Sequence, residues 1–272
     1  MTGVQSARTA GRPAPEVLCT AVAKTFPGPA EPLPVLASLD LTLEAGSVTA
    51  LVGPSGCGKS TLLRIIAGLE HPDAGGSVRI DGDDPLAVRR RGELAIAFQD
   101  ASLLPWRTAA GNVALARRLA GQPVDHRKVT RLLDMVGLAG FEKARPAQLS
   151  GGMRQRAAIA RCLVTEPRLL LLDEPFGAVD ELTRRRLNIE LPPLWSGATT
   201  TTLLVTHSIP EAVLLADRVL VMSARPGSIV ADLPVRLERP RRMEQLHSRG
   251  FTELVDRIGA LLGVDEYALD QG

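Results

Sequence analysis

Residues Gly53 to Thr61 read GPSGCGKST, and this stretch decides the fold. Gly53, Gly58, Lys59 and Ser60 fit the spacing G-x-x-x-x-G-K-[ST] of a phosphate-binding loop. The residues before it, Ser47 to Val52 (SVTALV), form an apolar, β-type run. Those after it, Thr61 to Leu69 (TLLRIIAGL), form an apolar helical stretch. Strand, glycine loop and helix in that order are the context that turns the pattern into a site. The glycines let backbone N–H groups turn inward around phosphate oxygens, and the helix start adds its positive dipole end. Lys59 offers a point charge to β- and γ-phosphates, and Ser60 a hydroxyl to Mg2+. Pro54, Ser55, Gly56, Cys57 and Thr61 complete the set of candidate nucleotide contacts. Only four lysines stand against 28 arginines, and one of them is in this loop.

Composition bounds the rest. A chain of 272 residues can bury one good core, with room for a subdomain. A formal net charge of +2 is too balanced to argue for nucleic acid, and 3% aromatics leave little for a stacking platform. Cys19, Cys57 and Cys162 lie far apart, without a C-x-x-C, which fits a reducing compartment and argues against a disulfide framework or cysteine metal site. The first residues lack the apolar core of a signal peptide, and no apolar run reaches spanning length, so the expectation is a protein that is neither exported nor membrane-spanning.

Residues 1–14 are small, polar and proline-containing, and are expected to be disordered. Strands are expected at Val17 to Phe26, Val35 to Leu43, Ser77 to Asp81 and Leu94 to Phe98. Residues 105–165 change character: Asn112 to Leu119, Arg127 to Val136 and Gly151 to Val164 carry apolar residues at helical spacing, a helical insertion. Alternation then resumes with strands at Leu169 to Leu172, Thr201 to Thr206 and Val219 to Met222, and helices at Glu181 to Leu191 and Pro210 to Ala216. Leu191 to Pro210 reads as a loop leading into a buried strand. The pattern predicts an α/β fold with a mainly parallel sheet and helices on both faces.

Polar clusters follow three of these strands: the phosphate loop, Asp173–Glu174 after LLLL, and His207 after TLLVT. In open α/β sheets the carboxyl ends of the strands are where ligands bind. Asp173 is placed to hold Mg2+, and Glu174 to orient or deprotonate an attacking water. No arginine finger is evident, so the missing charge stabilisation is expected from a second subunit.

Leu149 to Met153 reads LSGGM, followed by RQR, and here the chain resembles the ATP-binding-cassette ATPases. Other marks follow in the family's order over roughly residues 16–235. Phe26 resembles the adenine-stacking aromatic and Gln99 the glutamine of the Q-loop, a metal-site residue. LLLLDEP (Leu169 to Pro175) resembles Walker B with its catalytic glutamate. GAVD (Gly177 to Asp180) resembles the D-loop, and His207 the switch histidine. Val179 stands where Leu is common in the family, and Ser208 where Asp is common. The resemblance implies a phosphate-loop NTPase core with an N-terminal antiparallel β subdomain and an inserted α-helical subdomain. It implies a head-to-tail homodimer binding ATP and Mg2+, with each phosphate loop facing Ser150, Gly151 and Gly152 of the other subunit. It divides the chain into an ATPase domain over 15–240, including the helical part at about 105–165, and a tail over 241–272.

LLPW (Leu103 to Trp106) and SARPGSIV (Ser223 to Val230) resemble the ATPases of nitrate, sulfonate and taurine importers. This branch implies a separate integral-membrane permease, a periplasmic or lipid-anchored solute-binding protein acting indirectly, and a peripheral place on the cytoplasmic face. The helical lobe and the segment after Gln99 would form the groove for a permease helix. Trp106 could instead simply pack in that lobe, and Arg225-Pro226-Gly227 could be a tight turn. The rival reading is a soluble cassette ATPase acting on nucleic acid or the ribosome; the chain shows neither a second cassette nor a long heptad insertion. Phe251, Leu254, Val255, Ile258, Leu261 and Leu262 share one helical face, expected to pack on the same subunit; the alternative, which the basic approach of Arg239, Arg241 and Arg242 permits, is a partner-docking or membrane-surface helix. Arg89–Arg91 and Arg184–Arg186 are expected on solvated faces.

Overall fold

The apolar runs on either side of the phosphate loop pair in parallel because helices and loops carry the chain back between them. In the computed structural model, which describes residues 13–28, 31–195 and 199–263, these runs are β3 (Val48–Val52), β5 (Leu94–Ala97), β6 (Leu169–Asp173), β7 (Thr201–Val205) and β8 (Arg218–Met222). With β9 (Ile229–Pro234) they form, among the described residues, a six-stranded sheet in the order β5-β6-β7-β3-β8-β9. All neighbours are parallel except β8 and β9. A second, antiparallel sheet has the order β2 (Leu33–Leu43), β1 (Val17–Phe26), β4 (Ser77–Ile80).

Period-two alternation sorts the parallel strands' side chains into two cores. Val48, Ala50 and Val52, with Leu170, Leu172, Leu204, Val219 and Val221, face one core. Leu51, Leu169, Leu171, Leu203, Val205 and Leu220 face the other. Both faces are covered, which is why these strands read as unbroken apolar runs. The first core takes α3 (Ala109–Leu119), α4 (His126–Met135), α5 (Gly151–Leu163), α6 (Glu181–Glu190) and α7 (Ile209–Leu215). The second takes α1 (Lys59–Ile66), α2 (Pro85–Arg90) and the antiparallel sheet. That face is therefore shared between helix and sheet rather than covered by helices alone.

Two elements were not read from the sequence. The helix α2 is six residues long, too short for a periodic signal, although Asp84 caps it and Pro85 starts it. The edge strand β9 is only half-buried and ends on a proline, as edge strands allow. Of the run expected on a solvated face, Arg90 and Arg91 are exposed, Arg91 pairing there with Asp83 and Glu93, whereas Arg89 is half-buried and donates to the Gly68 carbonyl at 3.0 Å. Arg185 and Arg186 do sit on a solvated face, paired one helical turn away with Glu181 and Glu190. Pro192–Leu194 is a 3-10 turn in the stretch read as a loop.

The tail forms α8 (Arg249–Leu262), capped by Ser248, and packs on α7 and β8. Phe251, Val255 and Ile258 enter the first core, whereas Leu261 stays exposed. Residues 264–272 of the tail lie outside the described residues, as do residues 1–12 of the stretch expected to be disordered. Pro13 and Ala14 correct that expectation at its end. Ala14 is buried, and the Pro13 carbonyl accepts two bonds from the Arg168 guanidinium.

Candidate functional site

The sheet carries the ends of β3, β6 and β7 to one edge, where residues distant in sequence meet. The Ser60 hydroxyl, in the first turn of α1, donates to Asp173 Oδ1 at 3.0 Å. Asp173 ends β6 and is buried, and that burial pushes its carboxyl up from its ordinary value. The Ser60 hydrogen bond opposes the shift, and the neighbouring Glu174 charge reinforces it. A buried carboxylate against a hydroxyl is a set of hard oxygen donors, which suits Mg2+.

Glu174 leaves the strand in the left-handed region at φ 48, uncommon for a side chain with a Cβ. Its N–H is tied to the Val205 carbonyl at 2.8 Å, which holds the bend. The carboxylate then meets two other sequence-assigned residues through one oxygen. Its Oε2 lies 3.3 Å from His207 Nδ1 and accepts from Gln99 Nε2 at 3.4 Å. A carboxylate, an imidazole and an amide thus converge beside the Ser60–Asp173 pair, which is the arrangement needed to place a water and move its proton.

Lys59 is buried at the base of the loop, and its ammonium donates to the Gly53 and Pro54 carbonyls at 2.7 and 2.9 Å. Gly58 has φ 108, and a Cβ there would stand 2.6 Å from Leu36, so β2 closes tightly on the back of the loop. Cys57 is buried beneath it. Gly53, Pro54 and Ser55 open onto a cleft of about 860 Å3 that runs past His207 to Val255 and Leu262 of α8. Gly56 reaches the 223–228 loop through its carbonyl, and Thr61 follows Ser60 in the first turn of α1. Phe26 lies at the end of β1 opposite Leu33, half-buried against the second core, with the Lys24 ammonium 5.0 Å from its ring centre.

The signature residues are placed apart. Ser150 caps α5 by accepting from the Met153 N–H at 3.2 Å. Gly151 borders a separate cavity of about 350 Å3 that also touches Gln99 and Ala178. Gly152 packs against the Ala178–Val179 backbone. Asp180 caps α6, and the Thr183 N–H holds its carboxyl below the usual carboxylate range. The structure therefore joins Ser60, Asp173, Glu174, Gln99 and His207, and sets the signature turn on the D-loop of its own chain.

Two supports of this site were missed. Glu211 on α7 is buried against the Thr206 hydroxyl, next to His207, and burial pushes its carboxyl up. A glutamate amid Ile209, Ala212, Val213, Leu214 and Leu215 was the available signal, since α7 is otherwise apolar there. The second support is the Arg225 loop. Trp106 corrects the packing reading, because it is 68% exposed. It stands close in sequence to Leu104, which lines a groove of about 500 Å3 with Leu94, Ile96, Leu115, Leu119 and Arg161.

Known proteins share this architecture. The family model described as ABC transporter matches residues 36–177. An aliphatic sulfonates import ATP-binding protein of Pseudomonas syringae pv. syringae is 48% identical over 225 residues, covering 81% of this chain and 90% of that protein. The nitrate import ATP-binding protein of Synechococcus elongatus is 42% identical over 234 residues, covering 82% of each. Among solved structures, a dimeric post-hydrolysis state of the ATP-binding cassette MJ0796, bound to ADP and Pi, superposes with a TM-score of 0.73 at 31% identity. It covers 82% of this chain and 100% of that one.

Proposed function

The chain belongs to the ABC transporter family of ATPases, and from that premise we propose that it powers an importer whose permease is a separate polypeptide. The observation that carries the ATPase chemistry is the convergence of Glu174, His207 and Gln99 beside Ser60 and Asp173. The loop's N–H groups and Lys59 would receive the β- and γ-phosphates of ATP, the ammonium exchanging its loop carbonyls for phosphate oxygens. Ser60 and Asp173, with Gln99, would hold Mg2+, which neutralises phosphate charge when bound. Glu174 takes the proton of the attacking water, and His207 holds that carboxylate in place. Phe26 is assigned to the adenine face.

One chain does not complete this site. Its own signature turn packs on its D-loop, so Ser150, Gly151 and Gly152 are assigned to the phosphates of a partner's nucleotide, with Asp180 at the seam of the homodimer. An N-capped helix start with two glycines is a second anion nest. Closing two chains around ATP and reopening after hydrolysis is the motion an importer uses.

The permease surface is assigned to the apolar groove among β5, α3 and α5, with the exposed Leu119 in its lining. A permease helix laid in it would bury that side chain. Among the described residues no helix is long and apolar enough to cross a membrane. Attachment at the cytoplasmic face is assigned to that groove. The relatives name the solute class, aliphatic sulfonate first and nitrate next, with taurine in the same chemical range; a binding protein outside the membrane would deliver it.

The test is affinity purification of the tagged chain from its native membranes in mild detergent. A stoichiometric multi-spanning permease is the expected result. Its binding protein is then screened against sulfonates, taurine and nitrate. Recovery only with ribosomal or DNA-bound partners would overturn the importer reading and leave the ATPase standing.

A further inference from the structure

The 223–228 loop joins β8 to β9 and was read as a branch mark or a turn. It is also the outer wall of the phosphate loop. Arg225 Nε donates to the Gly56 carbonyl at 3.2 Å. Two residues on, Gly227 is packed so closely that a Cβ would stand 2.1 Å from the Cys57 carbonyl oxygen. Two successive carbonyls of the phosphate loop, Gly56 and Cys57, are thus turned toward this one segment.

A trans peptide points its C=O and N–H in opposite directions. Carbonyls held outward therefore aim the N–H groups of Cys57 and Gly58 away from the 223–228 segment, to the loop's inner side, where the Cys57 N–H donates to the Pro54 carbonyl at 3.3 Å, an acceptor that phosphate oxygens would replace. Those groups are what an anion nest offers to phosphate, whereas a flipped peptide would present an oxygen and repel it.

The segment is anchored well enough to act as a fixed post. Gly227 N–H donates to the Val35 carbonyl at 2.9 Å, and the Gly227 carbonyl accepts from Ala37 N–H at 3.0 Å. These bonds tie it to β2, whose Val35 and Leu36 also press on Gly58. Ser223 and Ser228 close its neck: Ser228 N–H and hydroxyl both lie 3.0 Å from Ser223 Oγ, and Ser223 N–H donates to the Ser228 carbonyl at 2.9 Å.

We propose that Arg225 is a positioning residue for nucleotide binding, holding the Gly56–Cys57 peptide with its N–H turned into the phosphate loop. It acts through a backbone carbonyl and not by touching the nucleotide. The proposal rests on the phosphate loop binding ATP.

Arg Nε and Gln Nε2 stand the same number of bonds from Cα. Arg225→Gln therefore keeps the donor and removes the charge, and Arg225→Ala removes both. On the full chain, binding of a fluorescent ATP analogue is measured, with competition by ATP, ADP and inorganic tripolyphosphate, alongside kcat and the unliganded Tm. The expected result is that Arg225→Ala weakens all three competitors by a similar factor, about fivefold for one exposed hydrogen bond. Its kcat at saturating ATP and its Tm stay at the wild-type values, and Arg225→Gln binds within twofold of wild type. Equal losses in both variants would make the charge the agent and overturn the backbone role. A loss for ATP and ADP without tripolyphosphate would mean a nucleoside contact and overturn it too. Unchanged binding in Arg225→Ala, or a loss that tracks a fallen Tm, would also refute it. Failure of the wild-type chain to bind ATP would instead bring down the nucleotide reading itself.

Discussion

Replacing Glu174 by Gln separates proton transfer from every other role of that side chain. Gln has the same shape and fits the same backbone at φ 48. The contacts it alters are weak: Oε2 lies 3.3 Å from His207 Nδ1 and 3.4 Å from Gln99 Nε2, both at a partly exposed edge. Pairs of that kind contribute about 0–1 kcal/mol. For a domain of this size that corresponds to a Tm change of about 2–4 °C at most. The chemical loss is far larger. Removing a positioned general base costs about 10²–10⁴ in rate, or about 3–5 kcal/mol of barrier. Steady-state phosphate release should therefore fall at least a hundredfold while ATP affinity holds. ATP-dependent dimer, followed by light scattering after gel filtration, should accumulate because the reopening step waits on hydrolysis. Turnover within threefold of wild type would remove Glu174 from the base role. A hundredfold loss accompanied by a Tm drop beyond 5 °C would refute the premise that the side chain contributes little to folding.

Arg168 is a buried hub, bonded to Asp81 at 2.6 Å, Glu93 at 3.2 Å and the Pro13 carbonyl. Arg168→Met should cost about 3 kcal/mol by breaking a buried charge network, read as a lower Tm. Its kcat should be unchanged, because the hub sits before β6, roughly 16 Å of strand from Asp173. Asn112 is buried and holds the 104–108 segment: its Oδ1 accepts from Leu104 N–H at 2.7 Å, and its amide reaches the Thr108 carbonyl at 3.0 Å. Asn112→Ala should cost about 2–4 kcal/mol in orphaned buried groups and reduce permease recovery more than ATPase activity; equal losses would argue against a role in docking. Glu211 faces the Thr206 hydroxyl, Arg184, His207 and Glu174, and burial raises its carboxyl above the ordinary 4.5. A raised folded value means its stabilising contribution is complete below the unfolded pKa and is lost as pH rises through the folded one. Glu211→Gln lacks that loss, so its Tm advantage over wild type should grow from pH 4 to pH 8; a constant gap would contradict the assignment.

Much of this protein is written locally. The phosphate loop needs only glycines, a lysine and a serine at fixed spacing between a strand and a helix, and all of that lies within about twenty residues. The buried parallel strands are legible because both faces are covered, leaving unbroken apolar runs such as Leu169 to Leu172. Ser150 and Asp180 announce their helices as caps. Elements with little periodic signal escaped: α2 spans less than two turns, and β9, though its burial alternates, puts the apolar Val230 on its outward face.

Other facts exist only once the sheet is assembled. Ser60 meets Asp173 across 113 positions, and Gln99 meets Glu174 across 75, because parallel register brings the ends of β5, β6 and β3 to one edge. Arg89 reads as part of a solvated run until the Gly68 carbonyl is brought to its guanidinium. Arg225 reads as part of a turn until β8 delivers it to a carbonyl 169 positions away. Short-range chemistry determined which groups this chain could offer to a nucleotide. Which of them meet was decided by long-range strand pairing, whose register no local spacing encodes.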